Sequence, residues 1–163
     1  MADADASVVD RAVQVVDGLD SISACEDIEQ LMRAVASTDN PQNPGEIASL
    51  EERLARLEPL ELAGRYREGL SLAAPLLASA EEVGFAPFTA KVAYRYGRLE
   101  EGAAHYDLAA ARYRQAVWRS TAGGDDLTAL RAAIALVSVV GSRLADRNAA
   151  ATWVELAEAW LER

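Results

Sequence analysis

The sequence predicts an all-α fold, a solenoid of about three helical hairpins preceded by a short helical pair. Two observations lead to this prediction. The 163-residue chain is rich in Ala, Leu, Glu and Arg, and only 5 prolines and 10 glycines interrupt it. Apolar residues also recur at helical spacing in segment after segment, over short connections that make neighbouring helices pack antiparallel.

The first predicted elements are an N-terminal helical pair. Residues 7–17 carry apolar side chains at helical spacing, and residues 23–36 begin with the capping-box spacing of Ser23 and Glu26. The next segment is rich in Pro, Asn, Ser and Thr, which is typical of a linker. We therefore expect a helical pair at 1–36, a linker at 37–45 and a helical array at 46–163.

Six further helices are predicted in the array. Pro59 is expected to kink or shorten the first helix, and Pro75 to kink the second. Gly84 ends the second helix, and Asp125 can cap the fifth. The predicted ranges are 46–62, 66–83, 88–102, 107–122, 127–145 and 148–161.

Two of these hairpins repeat, with a period of about 40 residues. When Tyr66 is aligned with Tyr106, small residues follow three positions later in both units, at Gly69 and Ala109. Further along the two helices, Ala73 aligns with Tyr113, and Leu76 aligns with Ala116. A period of this size is typical of solenoids made from helix pairs. Small and large residues alternate along these helices, and the small ones are expected where a neighbouring helix approaches closely.

Five residues in the second unit resemble the tetratricopeptide repeat family: Gly97, Tyr106, Ala109, Tyr113 and Ala116. The first unit matches less well, with Leu57 and Ala73 at two of these positions. A third unit is expected near Ile134, with Gly141 as its small residue and a register that stays open by one residue. The resemblance implies a right-handed solenoid. It also implies that Gly97 lets its partner helix approach closely and that Tyr113 and Ala116 face the next unit.

Nearly the whole chain also resembles a narrower group, the region that follows the catalytic domain in large myxobacterial-type serine/threonine protein kinases. The segments that carry this resemblance are DRAVQVVDGL, SISACEDIE, the Pro-containing linker and LAGRYREGLSLA. The chain contains no glycine-rich phosphate loop, H-R-D or D-F-G motif, so no kinase activity is expected of it. The resemblance implies a regulatory or scaffolding region.

Charge and composition exclude several classes of function. The net charge is −10, and residues 1–62 carry all of it, with 14 acids and 4 arginines. A chain without a basic stripe is a poor candidate for binding nucleic acid or an anionic membrane. No apolar run approaches the roughly 20 residues that span a bilayer. Cys25 is the single cysteine, so we expect a cytoplasmic protein without internal disulfides.

The residues that could carry chemistry have simpler explanations. His105 lies in a turn without an evident Ser or Cys partner, and a surface turn residue is expected there. Asp125 and Asp126 suit the start of a helix better than a metal site. Glu pairs on the helices are expected to be solvated. We therefore expect no cofactor, no metal and no catalysis.

The tetratricopeptide resemblance places a ligand groove on the first helix of each hairpin. Lys91, Tyr94 and Arg98 lie on one face of such a helix, and they could hold a peptide carboxylate. The alternative is that Arg98 and Lys91 pair with Glu58 and Glu51 across the groove. The residues expected on this concave face are Lys91, Tyr94, Arg98, Leu54, Glu58, Ser138 and Ser142, with Glu51, Glu61, Glu101, Ala135 and Asp146 at the remaining family positions.

The last helix leaves two arrangements open. Trp153 and Trp160 are expected to face inward onto their own hairpin, and otherwise further repeats or a homodimer would cover them. The expected function is protein–protein interaction through a peptide or helix held in the concave groove. The alternative is a sensor of a small molecule or peptide signal that controls an attached kinase. An independent enzyme has little support.

Overall fold

The structure of the protein is a computed structural model that describes residues 44–162, and all regular secondary structure in this range is helical. The fold is therefore all-α over this range, as predicted. The predicted pair at 1–36 lies outside the described residues. The helices are α1 Pro44–Ala55, α2 Leu57–Leu62, α3 Tyr66–Val83, α4 Ala86–Gly102, α5 Tyr106–Gly123, α6 Asp126–Ser138 and α7 Arg147–Leu161, with a π-helix at Val139–Arg143.

The single helix predicted at 46–62 is wrong in one respect, because the chain forms two helices there. α1 begins at Pro44, inside the predicted linker, where proline fits because the first helical N–H needs no partner. The break lies at Arg56, whose N–H donates to the carbonyl of Arg53 at 3.3 Å. Pro59 lies in the first turn of α2, where its missing N–H costs no hydrogen bond.

Gly84 ends one of the later helices and Asp125 caps another, as predicted, and Gly124 and Asp146 have the same two roles elsewhere. Gly84 and Gly124 close α3 and α5 in left-handed backbone, with φ of 72° and 71°. The carboxylates of Asp125 and Asp146 cap α6 and α7, each accepting a backbone N–H bond of 3.0 Å. Such caps stabilise a helix by about 1 kcal/mol. α3 continues through Pro75 without ending there.

The turns that follow α2, α4 and the π-helix share a left-handed residue. Gly64 and Ala104 both adopt left-handed backbone, with φ of 72° and 62°, at equivalent places in the first two units. The N–H that follows each of them bonds the carbonyl five residues back, as in a Schellman cap. Ala145, with φ of 58°, occupies the same place in the third turn, but one residue later than the spacing from Gly64 to Ala104 would put it.

The π-helix accounts for the extra residue. The N–H of Leu144 bonds the carbonyl of Val139, five residues back rather than four. One residue is thereby inserted before the turn, so the register that relates α7 to α5 is shifted by one position. Before the π-helix, equivalent residues of α4 and α6 are still 40 positions apart, as Gly84 and Gly124 are. The residue of α6 that corresponds to Gly97 is therefore Val137 and not Gly141. Gly141 therefore lies one turn further along its helix than the predicted register placed it.

Each helix packs against the next one along the chain, and α2–α4 and α4–α6 also contact each other. One apolar core runs through these contacts. Its largest fully buried side chains include Tyr113, Phe88, Leu57, Leu76, Leu99 and Leu136. Between residues 44 and 162, no helix is both long and apolar enough to cross a membrane.

Candidate functional site

A cluster of four charged side chains joins α2 to α4. Glu61 is only 7% exposed, and both of its carboxylate oxygens accept hydrogen bonds from arginines. Arg98 donates through Nε at 2.8 Å, and Arg95 donates through Nη1 at 2.9 Å. Arg95 also pairs with Glu58 at 3.1 Å. Two cations thus neutralise two carboxylates, which lowers the cost of burying Glu61.

The cluster differs from the pairing that the sequence left open. Arg98 pairs with Glu61 rather than Glu58, and Glu58 pairs with Arg95. Lys91 and Glu51 are both exposed, and no ion pair forms between them in the described part of the chain. Sequence reasoning missed Arg95, because its position is not one of the groove positions of the tetratricopeptide family.

The electrostatics of Arg98 follow from this cluster. Partial burial alone would lower its pKa, but the charge of Glu61 and the hydrogen bond to it reverse the effect and raise the pKa. The guanidinium therefore stays charged at every physiological pH. The side chain is still 44% exposed, and its bond to Glu61 uses Nε. Its terminal nitrogens can therefore also bond a ligand.

Tyr113 links α5 to the same face of α4. Its ring is fully buried, and a Cβ added at Gly97 would lie 2.6 Å from it. Its hydroxyl donates to Glu101 at 2.6 Å, and the ring of Tyr94 lies 5.8 Å away, centroid to centroid. Burial, followed by the hydrogen bond to Glu101 and its negative charge, raises the pKa of Tyr113 well above its ordinary value.

A cavity of about 380 Å³ opens beside these groups, where the turns of neighbouring hairpins meet. Its walls come from the ends of α2 and α4, the starts of α3 and α5, and the π-helix. It is lined by Glu61, Leu62, Tyr66, Arg98, Glu101, Gly102, Ala104, Tyr106 and Arg143.

Two aromatic contacts shape this cavity. The ring of Tyr66 lies so close to Gly102 that any side chain at 102 would collide with it. The guanidinium of Arg143 lies over the ring of Tyr106, 5.6 Å from its centroid. Arg143 is otherwise exposed, and it forms no ion pair with the rest of residues 44–162. It is therefore the cation of the cavity that is most open to a ligand.

The structure separates the predicted concave-face residues into two groups. Arg98 lines the cavity, while Lys91 and Tyr94 lie earlier along the same helix. The others, Leu54, Glu58, Ser138 and Ser142, are partly or fully exposed but do not line this cavity. Sequence reasoning also missed Arg143, because no residue type in the sequence marks the position of the π-helix.

The predicted repeat positions lie at helix contacts. Ala109 and Ala116 are fully buried, and a Cβ at Gly69 would lie 2.5 Å from the side chain of Leu99 in the next hairpin. A Cβ at Gly141 would lie 3.0 Å from that of Ala150, within its own hairpin. The sequence predicts that Tyr113 faces the next unit, whereas its ring and hydroxyl contact Gly97, Tyr94 and Glu101, which all lie on α4.

His105 lines a second cavity, of about 330 Å³, at the α4–α5 turn. Its Nδ1 lies 2.7 Å from the buried carboxylate of Glu100. The N–H of His105 also donates to the carbonyl of Glu100, so a side-chain contact and a backbone hydrogen bond both stabilise this turn. Nowhere in residues 44–162 do three His, Cys, Asp or Glu side chains group in a way that could hold a metal ion.

Comparison of the chain with protein-family models, curated proteins and solved structures found no match. The cavity and its charged groups are therefore the basis on which a function can be proposed.

Proposed function

We propose that the described helices form a right-handed array of three tetratricopeptide-like hairpins that binds a peptide segment of a partner protein. The hairpins are α1–α2 with α3, α4 with α5, and α6 plus the π-helix with α7. Support comes from the recurring turn geometry at Gly64, Ala104 and Ala145 and from the contacts of α4 with both α2 and α6. Stacked helix pairs produce this pattern of contacts between neighbouring units.

The observation that carries the peptide-binding proposal is the cavity between the hairpin turns. It combines two guanidinium groups, Arg98 and Arg143, with two phenol rings, Tyr66 and Tyr106. Its two carboxylates already accept hydrogen bonds, Glu61 from arginines and Glu101 from a tyrosine. The charged donors left for a ligand are therefore guanidinium groups, with neutral phenol rings beside them. Such a site favours an anionic group beside an apolar one.

A peptide carboxylate fits these donors. A guanidinium bonds a carboxylate through charge-assisted hydrogen bonds, in a geometry that an ammonium cannot reproduce. Aromatic rings beside the cations can pack against an apolar side chain of the same peptide. The chain would act without catalysis, by holding a carboxylate-bearing peptide or a helix end in the cavity.

A peptide-display selection on the purified chain tests this proposal. Selected peptides should carry a carboxylate that is needed for binding, either at the C-terminus or in an Asp or Glu side chain. Replacing Arg143→Ala should weaken the best peptide about tenfold or more, since a bond between charged groups contributes roughly 1.5–3 kcal/mol. The matched control is Arg114→Ala, which removes an exposed arginine of α5 that does not line the cavity.

Two results would contradict the proposal. One is a selection that yields no specific peptide. The other is a set of peptides whose affinity is the same for the Arg143→Ala variant and the unaltered chain. Circular dichroism of each variant separates a lost contact from a lost fold. Arg98→Ala is a useful second variant, although it also disturbs Glu61.

The proposal includes a cellular context, which rests on the sequence resemblance alone. We propose that the array is the regulatory or scaffolding region of a bacterial serine/threonine kinase in the cytoplasm. Sequencing of the surrounding reading frame tests this directly. A kinase domain with H-R-D and D-F-G motifs in the same frame would support it, and a frame that encodes no kinase would refute it.

A small-molecule sensor is the second candidate function. The cavity volume of about 380 Å³ favours it, because small-molecule sites commonly measure about 300–1,000 Å³. The same chemistry would select a small carboxylate with an apolar part. Thermal-shift screening of such acids distinguishes the two, since a sensor should be stabilised by one compound and a peptide site should not.

A further inference from the structure

The last described helix, α7, has a stripe of side chains that no other element between residues 44 and 162 covers. Val154 is 39% exposed and Leu161 is 69% exposed. Ala151 and Glu158 lie on the same face and are also exposed. The positions 151, 154, 158 and 161 follow the spacing of one helix face. The opposite face carries Trp153 and Trp160, both half-buried against the core.

The corresponding stripe in α5 is completely covered. With the one-residue shift of the π-helix, the four positions of α7 correspond to Ala110, Tyr113, Val117 and Ser120, all at most 1% exposed. The first hairpin behaves in the same way, since Ala73, Leu77 and Ala80 are buried at three of these positions in α3. In both hairpins the next helix along the chain contacts this helix, and α4 also covers the stripe at Tyr113. The stripe on α7 is therefore the face on which this architecture seats a helix.

The charges beside the stripe narrow the choice of occupant. Glu155, Glu158 and Glu162 are exposed on α7, and none forms an ion pair within residues 44–162. A second copy packed on this face would bring two such rows of carboxylates together, which is unfavourable. The chain's own residues 1–43 carry 9 acids and 2 arginines, so they are a poor match as well. The complementary occupant is basic.

We propose that α7 binds one amphipathic helix of a partner protein, with apolar residues against Val154 and Leu161 and Lys or Arg toward the three glutamates. This helix-in-groove mode is a common form of peptide recognition. The surface is separate from the cavity, because α7 contributes no residue to the cavity lining. The array therefore offers two binding sites, a cationic cavity and an acidic apolar helix face.

The test uses a defined probe in place of an unknown partner. The probe is a synthetic helix of about 20 residues with Ala and Leu along one face and Lys on its flanks. Its twin carries Glu in place of every Lys. Binding to the purified chain is measured by fluorescence anisotropy at low and at high salt.

The Lys-flanked probe should bind at least about tenfold more tightly than its twin, and its affinity should fall with added salt. Leu161→Asp in the chain should weaken it about tenfold or more, because it removes the more exposed of the two large apolar side chains of the stripe. The matched control is Leu72→Asp, which alters an exposed leucine on α3. A variant with Glu155, Glu158 and Glu162 all changed to Gln should lose the preference for lysine.

Three results would overturn the proposal. The probe and its twin could bind equally, or Leu161→Asp and Leu72→Asp could have equal effects. Sedimentation could also show that the unaltered chain dimerises and that Leu161→Asp separates the dimer, which would make a second copy the occupant. None of these measurements depends on the cavity, so their outcome does not decide whether Arg98 and Arg143 bind a peptide. That proposal is tested separately by peptide display.

Discussion

The ring of Tyr113 fills the space that a side chain at residue 97 would need, so Gly97 and Tyr113 form a matched pair. A Cβ on residue 97 would stand 2.6 Å from the ring, which is buried and held by its bond to Glu101. The ring therefore has little freedom to move away. This contact holds α4 and α5 together in the middle of the array.

We expect Gly97→Ala to destabilise the chain by about 1–3 kcal/mol, as overpacking of a filled core does. Urea denaturation monitored by circular dichroism measures this loss. The control is Gly45→Ala in α1, where an added Cβ meets nothing within 4 Å. If both variants are equally stable, the ring of Tyr113 is not confined as the structure indicates.

The buried phenol predicts a loss of stability in alkali. The folded-state pKa of Tyr113 is raised, so the unfolded chain loses this proton first, near pH 10, and the folded chain keeps it. The free energy of unfolding should therefore be unaffected below about pH 10 and fall as the pH rises above it. Tyr113→Phe should make this fall shallower, at a cost of about 0.5–1.5 kcal/mol at neutral pH from the lost hydrogen bond. Equal alkaline slopes for Tyr113→Phe and a Tyr96→Phe control would contradict this assignment.

The left-handed turn residues predict two stabilising changes. Ala104 and Ala145 have φ of 62° and 58°, which an alanine adopts at a cost and a glycine adopts freely. Ala104→Gly and Ala145→Gly should each stabilise the chain by about 0.5–1 kcal/mol, after the greater entropy of glycine in the unfolded chain is subtracted. The converse change, Gly84→Ala at φ of 72°, should destabilise it by a similar amount. Thermal unfolding compares all three, and a loss of stability in both Ala→Gly variants would refute the argument.

The ion-pair cluster around Glu61 predicts that this carboxylate contributes more to the stability of the fold than an exposed carboxylate does. Glu61→Gln leaves two arginines without their shared carboxylate, and a loss of about 1–3 kcal/mol is expected. Glu68→Gln is the control, because Glu68 pairs with Arg65 on the surface, where both side chains are about half exposed. Exposed pairs contribute at most about 1 kcal/mol. If Glu61→Gln and Glu68→Gln lower the free energy of unfolding equally in chemical denaturation, the cluster stabilises the fold no more than an exposed ion pair does.

Residue sizes made the second hairpin the most predictable part of the fold. Gly97, Ala109 and Ala116 are small because another element lies against them, so their spacing reports contacts directly. The break at Arg56 was not predictable, since Pro59 is the stronger local signal and yet fits inside a first turn. The π-helix was not predictable either, because no residue type demands it. Its trace in the sequence is one extra residue between the second and third turns, compared with the step from the first turn to the second.

The candidate site could be predicted only in part. Arg98 and Glu61 both stand at groove positions of the tetratricopeptide pattern. Glu58 and Glu61 lie one turn apart, so spacing alone could not choose the partner of Arg98. Arg143 is the last residue of the π-helix, where the extra residue shifts the register, so regular α-helical spacing does not place it at the cavity. A contact that depends on such an insertion can be found only from the structure.

The most direct test of the account is nuclear magnetic resonance mapping of the best selected peptide on the isotope-labelled chain. If the cavity binds the peptide, the largest chemical-shift changes fall on residues around it, at Tyr66, Arg98, Tyr106 and Arg143. At the same peptide concentration, Arg143→Ala should greatly reduce them. Shift changes confined to α7 or to the outer face of α3, with none around the cavity, would contradict the account.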